Sequence, residues 1–253
     1  MSALYSETSG TGPPLVLLHG WGMNLRVFDP LRDALAAHFT VTAFDLPGHG
    51  RSPWPESLSR TQLLTLLAAQ LPRGSTLAGW SLGGQLCMQL AADPALDVRR
   101  LVLIASTPRF VSGTDWPHGL AAQTVEDFAT QLARDPEATV ASFLELQVRG
   151  SAGSGMVLQS LMRSLREHGR AQPAALALGL QQLQQNDLRA AARELPMTTL
   201  VIAGEYDRVT PPGAAEALSR LLPRAALRLL RRAGHAPFLS HCDEVAAAML
   251  EPS

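Results

Sequence analysis

The sequence has few of the features that mark a metalloprotein, a disulfide-rich secreted protein or a membrane protein. Its two cysteines, Cys87 and Cys242, fit neither a disulfide framework nor a metal-ligand spacing. No apolar run reaches the about 18 residues that span a bilayer. The first seven residues lack the basic segment followed by an apolar segment that forms a secretory signal. We therefore expect a cytoplasmic protein without a metal or other cofactor, and Cys87 as a reduced thiol in the core.

Charge is also scarce and nearly balanced. Charged residues make up 17% of the 253 residues, and the net charge is −1. Such a chain has no overall attraction to nucleic acid or to an anionic membrane, so a charge-guided partner must bind a local patch. Hydrophobic residues reach 46%, which is enough for a large core. The length fits one α/β domain, with or without an inserted subdomain, and we expect a monomer.

Short apolar runs alternate with helical patterns, which is typical of a parallel, doubly wound sheet covered by helices on both faces. The predicted strands are 15–19, 41–45, 76–79, 101–105, 199–203 and 226–230. The predicted helices are 30–37, 61–71, 82–92, 212–222 and 244–250. Because these strands are almost continuously apolar, we expect them to be buried on both sides.

One interval breaks this alternation. Residues 107–195 contain amphipathic helical segments rich in glutamine and alanine, and no convincing strand. Helices inserted between two strands of such a sheet predict a lid over the carboxyl ends of the strands, where these folds bind ligands. We therefore predict an α/β core formed by residues 1–106 and 196–253, and a helical lid formed by residues 107–195.

A Gly-x-Ser-x-Gly motif at residues 79–83 lies between a predicted strand and a predicted helix. In that setting a sharp turn lifts Ser81 above the sheet, and the positions two residues before and after it tolerate almost no side chain. The helix that starts at Leu82 directs its N-terminal amides at charge that develops near the serine. A chance match is the alternative, but the strand–turn–helix context favours Ser81 as a nucleophile, which then needs a base.

His235 and Asp207 are the predicted base and orienting acid. Each follows a predicted strand, and the order serine, acid, histidine is the order that this motif requires. Glu205 is the one rival for the acid, and Asp207 is favoured because it lies in the turn beyond the strand. Asp45 also follows a strand but precedes the nucleophile, so we expect it to support the backbone. The other six histidines, such as His19 and His49 in turns, lack the setting of His235.

Attack on an ester carbonyl places negative charge on oxygen, which needs fixed hydrogen-bond donors. We expect the backbone N–H of Leu82 to be one donor. The second is the backbone N–H of Trp21, in the loop after the first predicted strand, where Gly20 and Gly22 let the backbone turn inward. The Trp21 ring is also a candidate wall of the acyl pocket, with a plain core position as the alternative.

Over its whole length the chain resembles the α/β-hydrolase superfamily. The segments that carry this resemblance are His19-Gly-Trp-Gly-Met-Asn, Asp45-Leu-Pro-Gly-His-Gly-Arg-Ser, Gly79-Trp-Ser-Leu-Gly-Gly and Gly234-His-Ala-Pro-Phe-Leu-Ser-His. More narrowly, Trp21, Trp80, Trp116-Pro and the stretch Phe143-Leu-Glu-Leu-Gln are similar to the pimeloyl-[acyl-carrier protein] methyl ester esterases of biotin synthesis. The lid is the part that departs most from that family.

The resemblance implies an esterase that releases methanol from the methyl ester of a pimeloyl-carrier protein, with the carrier protein as its partner. It further implies which residues contact the substrate. These are Trp21, Ser81, Leu82, Phe143, Leu144, Glu145, Leu146, Gln147 and His235. The role of Glu145 does not follow from its type, and a solvent-facing position is the alternative.

A positive stretch in the lid offers a docking surface for an acidic carrier protein. If residues 156–169 form a helix, Arg163, Arg166 and Arg170 share one face, and Arg149 precedes them. A nearly neutral enzyme needs such a local patch to capture an acidic partner. A solvated helix face explains the same arginines equally well, so both interpretations stay open.

The same sequence also allows other functions, which its residues favour to different degrees. A carboxylesterase of broad range for small esters shares all of this chemistry, and a lyase or a haloperoxidase-like perhydrolase is possible on the same fold. Dehalogenase and epoxide-hydrolase chemistry is disfavoured, because those relatives have aspartate where this chain has Ser81. A ligand-binding descendant of a hydrolase is disfavoured because no member of the predicted triad is missing.

Overall fold

The computed structural model describes residues 3–55 and 57–251, so the two ends of the predicted core, at residues 1 and 253, lie outside the described residues. Its centre is a seven-stranded sheet with the strand order β1-β3-β2-β4-β5-β6-β7. The strands are β1 Ser6–Ser9, β2 Pro14–Leu18, β3 Thr40–Phe44, β4 Thr76–Trp80, β5 Arg100–Ile104, β6 Thr198–Gly204 and β7 Ala225–Leu230. All neighbouring strands are parallel except β1, which pairs antiparallel with β3. The predicted α/β class is confirmed.

The six predicted strands are present, each within one residue at either end. The sequence analysis missed β1, because Ser6–Ser9 is polar and half-exposed and has no apolar pattern. The expectation that every strand is buried on both sides is wrong for β7. This strand lies at the edge of the sheet, and Leu229 is 41% exposed. An edge strand keeps one side in contact with solvent, and its apolar sequence does not reveal that position.

Helices cover both faces of the sheet. They are α1 Asp29–Leu35, α2 Arg60–Ala68, α3 Leu82–Ala91, α9 Pro212–Leu221, α10 Pro237–Ser240 and α11 Cys242–Leu250. Alternate residues of β2 point to opposite faces, so Leu15 and Leu17 join one buried cluster while Val16 and Leu18 join the other. Cys87 lies in the second cluster as a free thiol, and burial raises its pKa.

Five further helices lie between β5 and β6, in the interval predicted to be a lid. They are α4 Ala122–Arg134, α5 Pro136–Val148, α6 Ser154–His168, α7 Pro173–Gln185 and α8 Arg189–Arg193. This interval contains isolated bridges but no strand among residues 107–195, all of which are described. Leu144 of α5 and Leu161 of α6 belong to the same buried cluster as Leu17 of β2. The lid therefore shares the core of the sheet and does not have a wholly separate one.

Across the described residues, no helix is long and apolar enough to cross a membrane.

Candidate active site

Ser81 occupies a strained turn between β4 and α3. Its φ of 55° and ψ of −117° lie in a region that residues with a side chain rarely adopt. A Cβ atom on Gly79 would lie 2.3 Å from the carbonyl oxygen of Gly83, and one on Gly83 would lie 2.1 Å from that of Leu18. The turn therefore closes only because both positions are glycine, as the motif predicts.

Hydrogen bonds from the neighbouring strand hold this turn in place. The N–H of Ser81 donates to the carbonyl oxygen of Ile104 at 3.0 Å. The hydroxyl of Ser106 donates to the carbonyl oxygen of Ser81 at 2.8 Å. The role of Ser106 was not predicted, because nothing near residues 79–83 indicates which side chain beyond the end of β5 supports them. Together these bonds fix a backbone conformation that is unfavourable by itself.

The structure brings Ser81, His235 and Asp207 into one hydrogen-bonded line. His235 Nε2 lies 3.0 Å from Ser81 Oγ, and His235 Nδ1 lies 2.8 Å from Asp207 Oδ2. All three are buried, with His235 at 0% exposure. When Nδ1 carries the proton and donates it to Asp207, Nε2 is free to accept the proton of the Ser81 hydroxyl.

Asp207 is held by three donors in the loop after β6 and by His235, which follows β7. Its Oδ1 accepts from the N–H groups of Val209 and Thr210 at 2.8 and 2.9 Å, and its Oδ2 accepts from the Thr210 hydroxyl at 2.8 Å and from His235. This loop explains why the carboxylate sits in the turn rather than at the strand end. Glu205, the rival acid, instead accepts from the N–H of Arg232 at 2.9 Å and is exposed.

The backbone of His235 is fixed from two sides. Its N–H donates to the carbonyl oxygen of Gln147 in the lid at 3.1 Å. Its carbonyl oxygen accepts from the indole N–H of Trp80 at 2.7 Å, and the two rings lie 5.7 Å apart. Trp80 directly precedes Ser81, so the same segment carries the nucleophile and holds the base. This reduces the movement of the imidazole relative to the serine.

The two predicted oxyanion donors are the backbone N–H groups of two buried residues, Trp21 and Leu82. Within the part of the chain that the structure describes, no hydrogen bond leaves the backbone N–H of Trp21 or of Leu82. A buried amide without a partner is unfavourable, so both amides are available to a ligand oxygen.

His19, which the sequence analysis treated only as a turn residue, orients the peptide between Gly20 and Trp21. Its Nδ1 donates to the carbonyl oxygen of Gly20 at 2.8 Å, and its Nε2 accepts from the N–H of Leu46 at 3.0 Å. Burial lowers the pKa of His19 well below its usual value, which keeps the ring neutral as this pattern requires. Because a trans peptide is planar, fixing the Gly20 carbonyl also fixes the direction of the Trp21 N–H.

Trp21 also lines an apolar cavity of about 40 Å³. The Trp21 ring meets Phe143 edge-on, with centroids 5.3 Å apart, and its indole N–H donates to the carbonyl oxygen of Leu176 at 2.9 Å. The other residues around the cavity are Phe110, Leu120, Thr124, Val125, Phe128, Leu146, Leu180 and Leu183. Trp21 thus lines the cavity within a buried aromatic cluster, and its role as a wall of the acyl pocket stays a prediction.

The five lid residues predicted to contact substrate do not share one environment. Phe143 and Leu146 line the apolar cavity. Gln147 is buried, and its backbone holds His235. Leu144 is completely buried in the cluster that packs against the sheet, and the side chain of Glu145 is exposed. Phe143 and Leu146 therefore line the cavity and Gln147 contacts His235, whereas Leu144 and Glu145 do not line the cavity.

The four predicted docking arginines are exposed but do not lie on a single helix face. Helix α6 ends at His168, and Gly169 follows with a φ of 110°, so Arg170 lies beyond the helix and pairs with Glu137. The expectation that Arg170 shares the helical face is therefore wrong. Arg163 and Arg166 lie on α6, and Arg149 follows the end of α5.

Arg163 and Arg166 line two different grooves. Arg163 borders one beside Met156. Arg166 and Arg170 border another, of about 470 Å³, that reaches Gly22. The described residues contain no group of three histidine, cysteine, aspartate or glutamate side chains that could hold a metal ion.

The sequence and the fold were also compared with known proteins. Residues 13–241 match the family model described as alpha/beta hydrolase fold. The pimeloyl-[acyl-carrier protein] methyl ester esterase of Nitrosomonas europaea is 43% identical, over 96% of this chain and 97% of the relative. The enzyme of the same name from Stenotrophomonas maltophilia is 42% identical, over 97% and 95%. Among solved structures, an esterase from Exiguobacterium antarcticum shares the fold with a TM-score of 0.87 and 22% identity, covering 98% of this chain and 94% of the other.

Proposed function

This chain belongs to the α/β-hydrolase fold family and, within it, to the pimeloyl-[acyl-carrier protein] methyl ester esterases, and on that premise we propose that it hydrolyses the methyl ester of a pimeloyl-carrier protein. The products are methanol and the free carboxylate. One observation carries this proposal: the hydrogen-bonded line from Asp207 through His235 to Ser81, with distances of 2.8 and 3.0 Å. Such a line makes an alcohol nucleophilic enough to attack an ester.

The first half of the reaction acylates Ser81. His235 Nε2 takes the proton of the hydroxyl as its oxygen attacks the ester carbonyl, and Asp207 stabilises the imidazolium that forms. The negative charge on the carbonyl oxygen is held by the N–H groups of Trp21 and Leu82, in a site shielded from water. When the tetrahedral intermediate collapses, the C–O bond to the methoxy group breaks, and His235 gives its proton to the departing methoxy oxygen, which leaves as methanol.

The second half repeats these steps with water. His235 removes a proton from a water molecule that attacks the acyl carbonyl, and the same two amides hold the new oxyanion. Ser81 leaves with the proton from His235, and the free acid is released. Every proton that moves in either half passes through the Nε2 atom of His235. Both halves therefore depend on the contact between this atom and Ser81 Oγ.

The apolar surroundings suit a substrate with an aliphatic chain. The cavity bordered by Trp21 and Phe143 exposes almost entirely apolar surface, so it favours methylene or methyl groups over charged ones. Its volume of about 40 Å³ is a few times the roughly 10–15 Å³ that a cavity needs to hold one water molecule. A cavity of this size accommodates a small alkyl group.

The groove at Gly22 supports an approach from the lid side. Val140 and Leu176 lie 3.6 and 3.5 Å from the position of a Cβ atom on Gly22, so the groove extends to the loop that carries Trp21. Arg166 lies at its rim, and in the described part of the chain it forms no ion pair. Carrier proteins are acidic, so an exposed arginine beside an apolar groove fits a carrier that delivers a long acyl arm.

The function is tested by comparing the methyl ester of pimeloyl-carrier protein with free dimethyl pimelate. We expect methanol release from both, with the higher kcat/KM for the carrier-bound ester. Ser81→Ala should lower kcat by about 10⁶-fold, because the nucleophile is lost. A fluorophosphonate should label the wild type at Ser81 and leave the variant unlabelled. Methanol release by Ser81→Ala at the wild-type rate would contradict the assignment, and equal kcat/KM values would favour a broad-range carboxylesterase.

The docking surface is tested by the double charge reversal Arg163→Glu with Arg166→Glu. It should lower kcat/KM for the carrier-bound ester by about tenfold at low salt, with a smaller loss at high salt, because exposed charges are screened. The rate on dimethyl pimelate should not change. The matched control reverses Arg73 and Arg224, which are exposed and precede the amino ends of β4 and β7, whereas the triad follows the carboxyl ends of its strands. Equal losses on both substrates, or in the control, would reject the docking role.

A further inference from the structure

A buried polar network joins the end of lid helix α6 to the loop that carries Trp21. Asn24, three residues after Trp21, donates from Nδ2 to the carbonyl oxygens of Ser164 and Gly169 at 3.1 and 2.9 Å. Its Oδ1 accepts from the Ser164 hydroxyl at 2.5 Å. Asn24 is 0% exposed and Ser164 is 6% exposed. The loop and the helix end are therefore linked by hydrogen bonds from which water is excluded, which makes their loss unfavourable.

A second link runs through Asp45. The Nε2 atom of His168, the last residue of α6, lies 2.8 Å from Asp45 Oδ2. The other oxygen, Oδ1, accepts from the N–H of Leu25 at 2.8 Å. Asp45 and the His168 side chain are buried, and a proton on Nε2 makes the imidazole the donor. The carboxylate thus connects the end of the lid helix to the residue after Asn24.

The chain beyond α6 stays attached to the same part of the core. Gly169 has a φ of 110°, and a Cβ atom on it would lie 3.0 Å from the carbonyl oxygen of Gly50. The N–H of Gln172 donates to the carbonyl oxygen of Gly48 at 2.7 Å. The end of α6 is consequently a fixed point of the lid, next to the loop 45–51.

We infer that His168 and Ser164 of the lid are positioning residues for the esterase reaction, because through Asp45 and Asn24 they fix the loop that presents the Trp21 amide to the oxyanion. His19 holds this loop at its start, and the two links from α6 hold it at residues 24 and 25. Loosening the attachment of the loop at residues 24 and 25 changes where the Trp21 N–H points. This inference rests on the proposed esterase function, since it assigns a task to the oxyanion amide.

The test compares His168→Leu with His168→Gln. Leucine removes the donor to Asp45, whereas the amide nitrogen of glutamine reaches a position similar to that of histidine Nε2 and restores a donor. We expect His168→Leu to lower kcat on a small soluble ester by about tenfold, since a misplaced group costs less than the 10²- to 10³-fold of a missing oxyanion donor. KM should stay within about twofold, because the substrate pocket is unchanged. His168→Gln should recover most of the loss.

The rates of the wild type and of the α6 variants are divided by the number of active sites that a fluorophosphonate titrates, so unfolded protein does not count. The rate of Ser81→Ala, which has no site to label, is divided by the concentration of folded protein. The control is Leu161→Ala, which removes packing of α6 against the core but leaves both links in place. It should lower Tm at least as much as His168→Leu and leave kcat unchanged. The inference is overturned if kcat per titrated site is unchanged in His168→Leu, or if Leu161→Ala loses as much.

If His168→Leu does not fold, Ser164→Ala replaces it, since this change removes one hydroxyl and one link to Asn24. A fall in kcat per titrated site with KM unchanged supports the inference, and an unchanged kcat overturns it. Ser81→Ala measured beside these variants separates the two proposals. Activity that survives without Ser81 contradicts the esterase mechanism itself, whereas loss in Ser81→Ala with full activity in the α6 variants contradicts only the role of the lid helix.

Discussion

The catalytic side chains and the lid side chains reach the site by different routes. Ser81, Asp207 and His235 each lie in the segment that follows a strand, β4, β6 or β7, and backbone hydrogen bonds fix those segments. Phe143 lies on α5, and packing against Trp21 and Phe128 sets its position. The register of the sheet determines the positions of the catalytic side chains, whereas the packing of many side chains determines the positions of the lid side chains.

This difference separates chemistry from selectivity. A change at a strand end should lower turnover of every ester by a similar factor, because the same proton transfers serve all of them. A change on the cavity side of the lid should instead alter which ester is preferred, because it changes the apolar cavity that Trp21 and Phe143 line. His168 and Ser164 cross this division, since they belong to the lid and yet act on the oxyanion loop.

The largest effect that tests the comparison is expected from Asp207→Asn. The substitution keeps the size of the side chain but removes the charge that stabilises the imidazolium, and its amide favours the wrong tautomer of His235. We expect kcat to fall by about 10⁴-fold on carrier-bound and small esters alike. The measurement is the initial rate of methanol release from both substrates. Each rate is divided by the amount of folded protein, whose mass is checked by mass spectrometry.

Glu205→Gln is the matched control for that variant. It removes a carboxylate two residues away, whose contact is the N–H of Arg232 rather than His235. Its kcat should stay close to the wild-type value. A loss in Glu205→Gln as large as that in Asp207→Asn would show that charge near β6, and not the contact with His235, controls the rate.

The same division decides how much could be predicted from the sequence. Six of the seven strands follow from their apolar runs, and the triad follows from a local motif combined with the order of strand ends. Each apolar run and the Gly-x-Ser-x-Gly motif lies within a few neighbouring residues, and only the order of the strand ends extends along the chain. The strand β1 carries no apolar pattern because it lies at the polar edge of the sheet, so its pairing with β3 depends on the fold as a whole.

The contacts that sequence analysis missed join distant parts of the chain. His168 and Asp45 are 123 residues apart, and no spacing rule connects a histidine at a helix end to an aspartate after a strand. Thr210 lies only three residues from Asp207, but the sequence does not show that its hydroxyl turns back onto the carboxylate. For the lid, similarity to a family could identify the stretch 143–147 but not which of its side chains face the cavity.

Substituting Phe143 by alanine should produce a smaller and more selective effect. The loss of the ring enlarges the apolar cavity of about 40 Å³ next to Trp21. We expect kcat/KM for a butyl ester of pimelate to rise about tenfold relative to the methyl ester, the range in which apolar pockets discriminate between chains of different length. The ratio of the two values, measured in one mixture, does not depend on the concentration of active enzyme.

Leu144→Ala is the matched control, because Leu144 is the next residue of α5 and faces the core cluster instead of the cavity. It removes a similar amount of buried surface, so it should lower Tm, by an amount that corresponds to about 2–5 kcal/mol, without changing the butyl-to-methyl ratio. An equal change of the ratio in both variants would mean that α5 acts on the pocket as a whole. In that case selectivity would not depend on the direction of a single side chain. The strand ends would still determine the chemistry, but the lid would determine selectivity through the position of whole helices.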